Sequence, residues 1–150
     1  MRPHRATVNK RQLLNACRHE IGHCYIASVL GQHVYVALVK RDGSGYADMD
    51  IPLNRPVANI RISIAGYLCE RILGGYTPSY DAMCRDPAQC DDVEDIEYCL
   101  ADGRVKRDIA LPAAIAWVTK ELEKPGVKQK LRRMAKRMVR TRVLYGRSFN

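Results

Sequence analysis

The sequence predicts a single α+β domain, mostly α-helical, with one short β-hairpin and a C-terminal helical segment. Three observations lead there. Apolar residues recur at helical spacing over several long segments. One stretch, residues 33–51, is β-branched and aromatic on either side of a glycine turn. Proline and glycine separate these segments, and no repeat, low-complexity tract or linker divides the 150 residues into two domains. At 47% hydrophobic residues the chain can bury a core. With one Phe and one Trp, that core must come from Leu, Ile, Val, Met and Tyr.

The first helix is expected over residues 10–30, where Leu13, Leu14, Cys17, Ile21, Tyr25 and Val29 share helical spacing and Gly31 offers a stop. "HVYVALVK", 33–40, and "YADMDI", 46–51, flank the turn "RDGSG" as two strands. Pro52 and Pro56 mark a loop. A second long helix, 57–75, ends on Gly74 and Gly75. Residues 76–88, with Pro78 and Pro87, read as a loop. "CDDVEDIEYCLA", 90–101, reads as a third helix with acids in its first turn, where the helix dipole favours them. "LPAAIAWVTKELEK", 111–124, is the fourth, with Pro112 near its start. Pro125-Gly126 breaks the chain. A fifth helix over 127–146 carries Leu131, Met134, Ala135, Met138 and Val139 on one face, within a basic C-terminal helical segment, 124–147.

Charge is placed unevenly. The formal net charge is +9, and from Lys124 to Asn150 there are ten Lys or Arg and no acid. The basicity therefore belongs to the C-terminus rather than to the whole domain. That helix is either a solvated face over an apolar stripe or an electrostatic attachment for an acidic partner, nucleic acid or protein. A membrane-surface helix would need a Trp/Phe/Leu face that it lacks. No apolar run reaches the ~20 residues that span a bilayer. "MRPHRATVNKRQ" is basic and polar rather than a secretory signal. The six cysteines form no CxxC, so reduced thiols and a cytoplasmic location are expected. A second zinc site from Cys84 and Cys90 is the lesser alternative.

Chemistry concentrates in "ACRHEIGHCYIASVLG", residues 16–31. His19 and His23 stand four apart, on one helical face, and can offer two imidazoles to one metal ion. Glu20 lies about 100° around the helix from His19, placed to act as a base toward a metal-activated water without being a ligand. Gly22 lets another segment approach closely. A catalytic zinc needs a third protein ligand. His4 lies near the N-terminus, and His33 cannot easily fold back to His19. A carboxylate is the better third ligand, and Glu70, Asp91, Asp92, Glu94 and Asp95 are the candidates.

The order of motifs resembles the FtsH-type, M41 family of zinc metallopeptidases. "HEIGH" resembles the family's "HEAGH", and "VALVKRDGSGYADM" its strand, turn and Gly-Tyr strand, with Gly45-Tyr46 in the matching place. "ISIAGYLCERILGG" resembles the helix "I…LAGRAAEELIFG", and "CDDVEDI" the segment "SNDLxxAT". The likeness covers about residues 13–100. Ile21 and Tyr67 depart from the family's Ala and Arg, and with no Walker-type loop or spanning run in the sequence, neither the family's ATPase nor its membrane anchor is expected.

The resemblance implies a zinc-dependent endopeptidase with one zinc per chain held by His19, His23 and Asp92. Glu20 is then the general base, and the substrate is a polypeptide. It places Glu70 where it can orient a zinc-bound histidine, or leaves it as a surface carboxylate. Any ATP-driven unfolding would come from another protein. A different class of function is a catalytically weak or inactive M41-like binding or regulatory module that uses its basic C-terminal helix to engage an acidic partner, nucleic acid or protein.

Overall fold

The computed structural model describes residues 8–150. It contains six α-helices and a three-stranded antiparallel sheet. Helix α1 (Lys10–Val29) opens on a reciprocal cap. The Asn9 side chain accepts from the Gln12 amide at 2.9 Å, and the Gln12 side chain accepts from the Asn9 amide at 3.1 Å. It closes where Gly31 takes φ 79° and the Gln32 amide reaches back to the Ala27 carbonyl at 2.9 Å. Strands β1 (Val34–Val39) and β2 (Gly45–Met49) form the expected hairpin, with Val36 opposite Asp48 and Val39 opposite Gly45. Helix α2 (Pro56–Leu73) has Pro at its first position, where a missing N–H costs nothing, and stops at Gly74.

α1 and α2 cross tightly at the centre of the molecule. A Cβ on Gly22 would lie 2.5 Å from the Ala65 carbonyl oxygen and from Cys69 Cβ, so only glycine allows this crossing. Around it Cys17, Ile21, Cys24, Ile64, Leu68 and Cys69 are buried. This crossing sets the face of α1 that carries His19 and His23 against α2.

Three segments differ from the sequence reading. Residues 76–88 are not simply a loop: α3 (Tyr80–Arg85) is capped by Ser79, and a 3-10 turn, Pro87–Gln89, leads directly into α4 (Cys90–Leu100). A six-residue helix is too short to show a hydrophobic period. Helix α5 (Arg107–Leu122) starts ahead of residue 111, so Pro112 lies inside it. The hydrogen bond Pro112 cannot give would go to the Asp108 carbonyl, and both residues are exposed, so water can satisfy that group.

The third difference corrects the C-terminal helix. α6 spans Val127–Thr141, not 127–146 or 124–147. Arg142 turns the chain at φ 64°, and β3 (Val143–Tyr145) pairs antiparallel with β1, Leu144 opposite Ala37. The sheet order is β2-β1-β3, so the hairpin gains a third strand that covers the second edge of β1. α6 packs on α1 and α5 on α2. Leu131, Ala135 and Met138 are buried as the apolar pattern of α6 requires, and Met134 and Val139 are half-buried. Among the described residues no helix is long and apolar enough to cross a membrane.

Candidate metal centre

α1 and the first turn of α4 meet over the middle of α2 and bring three side chains to one point. His19 Nε2 stands 2.9 Å from Asp92 Oδ2, His23 Nε2 3.3 Å from the same oxygen, and the two Nε2 atoms 3.0 Å from each other. The rings meet edge to face, at 79°. Gly66 on α2 makes the room. A Cβ there would collide with the His23 and His19 rings at their Nε2 atoms.

The outer ring nitrogens settle what this cluster can hold. His23 Nδ1 lies 2.7 Å from the Ile62 carbonyl oxygen, which can only accept. His19 Nδ1 lies 3.3 Å from Glu70 Oε2, whose own orientation is shared with the Gln89 amide nitrogen at 3.4 Å. Each Nδ1 therefore carries the hydrogen, and in the neutral rings each Nε2 offers a lone pair. Two lone pairs and a carboxylate oxygen then point at one spot with no donor between them. Such a spot takes a cation or a proton. Donors bound tetrahedrally at ~2.0–2.1 Å from an ion stand roughly 3.3 Å apart, close to the separations here. The residues present therefore fit a metal ion.

Titration follows the same logic. Burial works against protonation of His19, but hydrogen bonds to Asp92 and Glu70 outweigh it and raise its pKa to about 10. Burial likewise opposes protonation of His23, and the Asp92 charge more than compensates, so its pKa is raised. Asp92 is driven up by burial and further down by the His23 and His19 charges, so its pKa ends well below the usual carboxylate range. The arrangement that suits a cation therefore also favours a proton shared among these groups.

Glu20 is buried beside this cluster and outside it. Burial raises its pKa, against the opposing pull of His23 and His19. Gly45 of β2 lies so close over it that a Cβ at this position would overlap the Glu20 carboxyl. β2 thus forms one wall of an open cleft of about 850 Å³ whose floor is His19, Glu20 and His23. The far wall comes from Asp91, Asp92 and Asp95 of α4, with Gln89 and Glu70 behind.

Among the described residues, His19, His23 and Asp92 are the one group of three or more His, Cys, Asp or Glu side chains close enough to share an ion. Asp91 and Asp95 line the cleft without joining the group, and Glu94 is exposed. His33 packs against Tyr35, with ring centroids 4.5 Å apart. His4 lies outside the described residues. Cys84 and Cys90 are free and exposed and take part in no such group. Gln89, Gly66 and the Ile62 carbonyl escaped the sequence reading. Gly66 stands in the quoted "IAGY", but nothing in the string marks it as facing α1. Neither a protein-family model nor a curated protein matches this chain.

Proposed function

We propose that the chain is a zinc-dependent endopeptidase of the FtsH-like type. One observation carries the reading: two imidazole lone pairs and a carboxylate converge on an otherwise donor-free point, with a buried carboxylate, Glu20, next to it but not part of it. A set of two histidines and one carboxylate leaves a position free, as catalytic zinc sites do. The order of the sequence motifs supports the same family.

In this reading His19, His23 and Asp92 hold the ion. Bound there, zinc supplies a Lewis acid that polarises a carbonyl and acidifies a water. Glu20 accepts the proton of the attacking water on its carboxylate and passes it to the leaving amine. Glu70 and the Ile62 carbonyl keep the two rings turned with Nε2 inward. β2 is an edge strand lining the cleft, so its outer side can pair with an extended polypeptide laid across the floor.

The test is Glu20→Gln. The variant should retain about one zinc per chain while cleavage of an unfolded protein or flexible peptide falls by at least ~100-fold, the low end for loss of a general base. Equal cleavage by wild type and variant would remove the site from the chemistry. No zinc in wild type after reconstitution would remove the metal.

A further inference from the structure

The apolar stripe of α6 is spent on the core, which leaves its other face to be explained. That face presents Arg132, Arg133, Lys136, Arg137 and Arg140, all exposed. Five cations thus occupy about 12 Å of helix. None of the five forms an ion pair among the described residues; on α6 only Lys128 does, with Glu123 at 3.7 Å. Arg132, Lys136 and Arg140 follow one another at i,i+4, a spacing at which like charges destabilise a helix. A face that served only solubility would mix the two signs.

The basic surface continues past both ends of the helix. The Arg132 guanidinium donates to the Leu73 carbonyl at 3.5 Å. Arg18, half-buried on α1, lies within reach of the Arg132 charge. At the other end Arg142 donates to the Lys40 carbonyl at 3.5 Å, beside the exposed Lys40 and Arg41. None of these cations lines the cleft.

We propose that the outer face of α6, with the cations at its two ends, docks the phosphate backbone of a nucleic acid. The chemistry of the face selects this partner. No large exposed apolar side chain lies on α6. An anionic membrane surface would call for an apolar anchor beside the charges. A stable protein partner would call for an apolar or aromatic anchor at the centre of the contact. Phosphate backbones need neither, because neutralised charge and released counterions supply the affinity. The inference stands apart from the peptidase reading, and either can fail alone.

Two variants of equal net charge test it. In the first, Arg133, Lys136, Arg137 and Arg140 become Gln; their side chains make no hydrogen bond among the described residues, and Gln has similar helix propensity. In the second, the exposed Arg55, Arg85, Lys106 and Lys120, which lie off α6, become Gln. Circular dichroism checks that both fold. Fluorescence anisotropy then follows a DNA duplex and a single-stranded RNA of about 20 units each, from about 50 to about 200 mM salt. Wild type and the second variant should bind one or both probes, and the first should lose about three to four units of the slope of log K against log salt. Three outcomes would overturn the proposal: no binding by wild type at the lower salt, equal loss in both variants, or binding of phosphatidylserine vesicles or polyglutamate as tight as that of the nucleic acids.

Discussion

Asp91, Asp92 and Asp95 share one chemistry and one wall of the cleft, yet only Asp92 touches both imidazoles. If the cluster holds zinc as proposed, Asp92→Asn should weaken its binding by more than ~100-fold, the upper end of what changes to groups behind the ligands cost. Asp91→Asn and Asp95→Asn should leave it within a few-fold, measured by chelator competition. Loss in either neighbour equal to that in Asp92→Asn would refute the assignment. The histidines carry a pH prediction whose sign follows from their raised pKa values. A raised histidine stabilises the metal-free fold fully below its unfolded value of ~6.5 and loses that contribution as pH rises through the folded value, about 10 for His19. Zinc needs the same nitrogens without protons. The rise in Tm on adding zinc should therefore be smaller at pH 6 than at pH 8, at equal free zinc. A larger rise at pH 6 would contradict the shared-proton picture.

At the level of elements, the three residues of β3 matter more than their number suggests. Leu144 is 2% exposed and faces Ala37 across the strand pair, whereas Leu53, in the loop before α2, is 85% exposed. Leu144→Ala should cost roughly 2–4 kcal/mol of unfolding free energy, as buried Leu truncations do. Leu53→Ala should stay within ~0.5 kcal/mol. Urea melts of the two variants decide it: a Leu144→Ala midpoint as close to wild type as that of Leu53→Ala would mean that β3 is not part of the core. The same packing explains why local pattern alone misread this end. The helical period of α6 runs on past Thr141 without a proline or glycine before Gly146, and the partner of β3 lies about a hundred residues earlier. Strand formation of this kind depends on context more than on propensity.

At the scale of the described residues, the cleft and the outer face of α6 carry opposite charge. Among the described residues the cleft is lined by Glu20, Asp48, Glu70, Asp86, Asp91, Asp92 and Asp95 and by no Lys or Arg, in a chain of net charge +9. A cleft of one sign concentrates ligands of the other, with gains in association of ~10-fold or more at low ionic strength. Under the peptidase reading, a flexible peptide flanked by lysines should have a kcat/KM about tenfold above its glutamate-flanked counterpart at low salt. The gap should narrow as salt screens the field. Equal rates at low salt, or a preference for the glutamate peptide, would show that the carboxylates do not steer substrate.

What the sequence determined by itself is local. Periodicity and caps specify α1, the hairpin and α2, because apolar spacing and turn chemistry act within a few residues. The spacing of His19, Glu20 and His23 likewise places two nitrogens on one face and a carboxylate about 100° away, since a helix has one geometry. Tertiary structure decided the rest. Spacing alone left five carboxylates open as the third donor and the family resemblance pointed to Asp92; the meeting of α1 with α4 over α2 brings Asp92, and not the other four, against both imidazoles. That meeting depends on two close approaches, Gly22 against Ala65 and Gly66 against the imidazoles. The turning of both Nε2 atoms inward depends on the Ile62 carbonyl and on Glu70, 39 and 51 residues away in the chain. No spacing rule spans such distances, because only packing brings these groups within hydrogen-bonding reach.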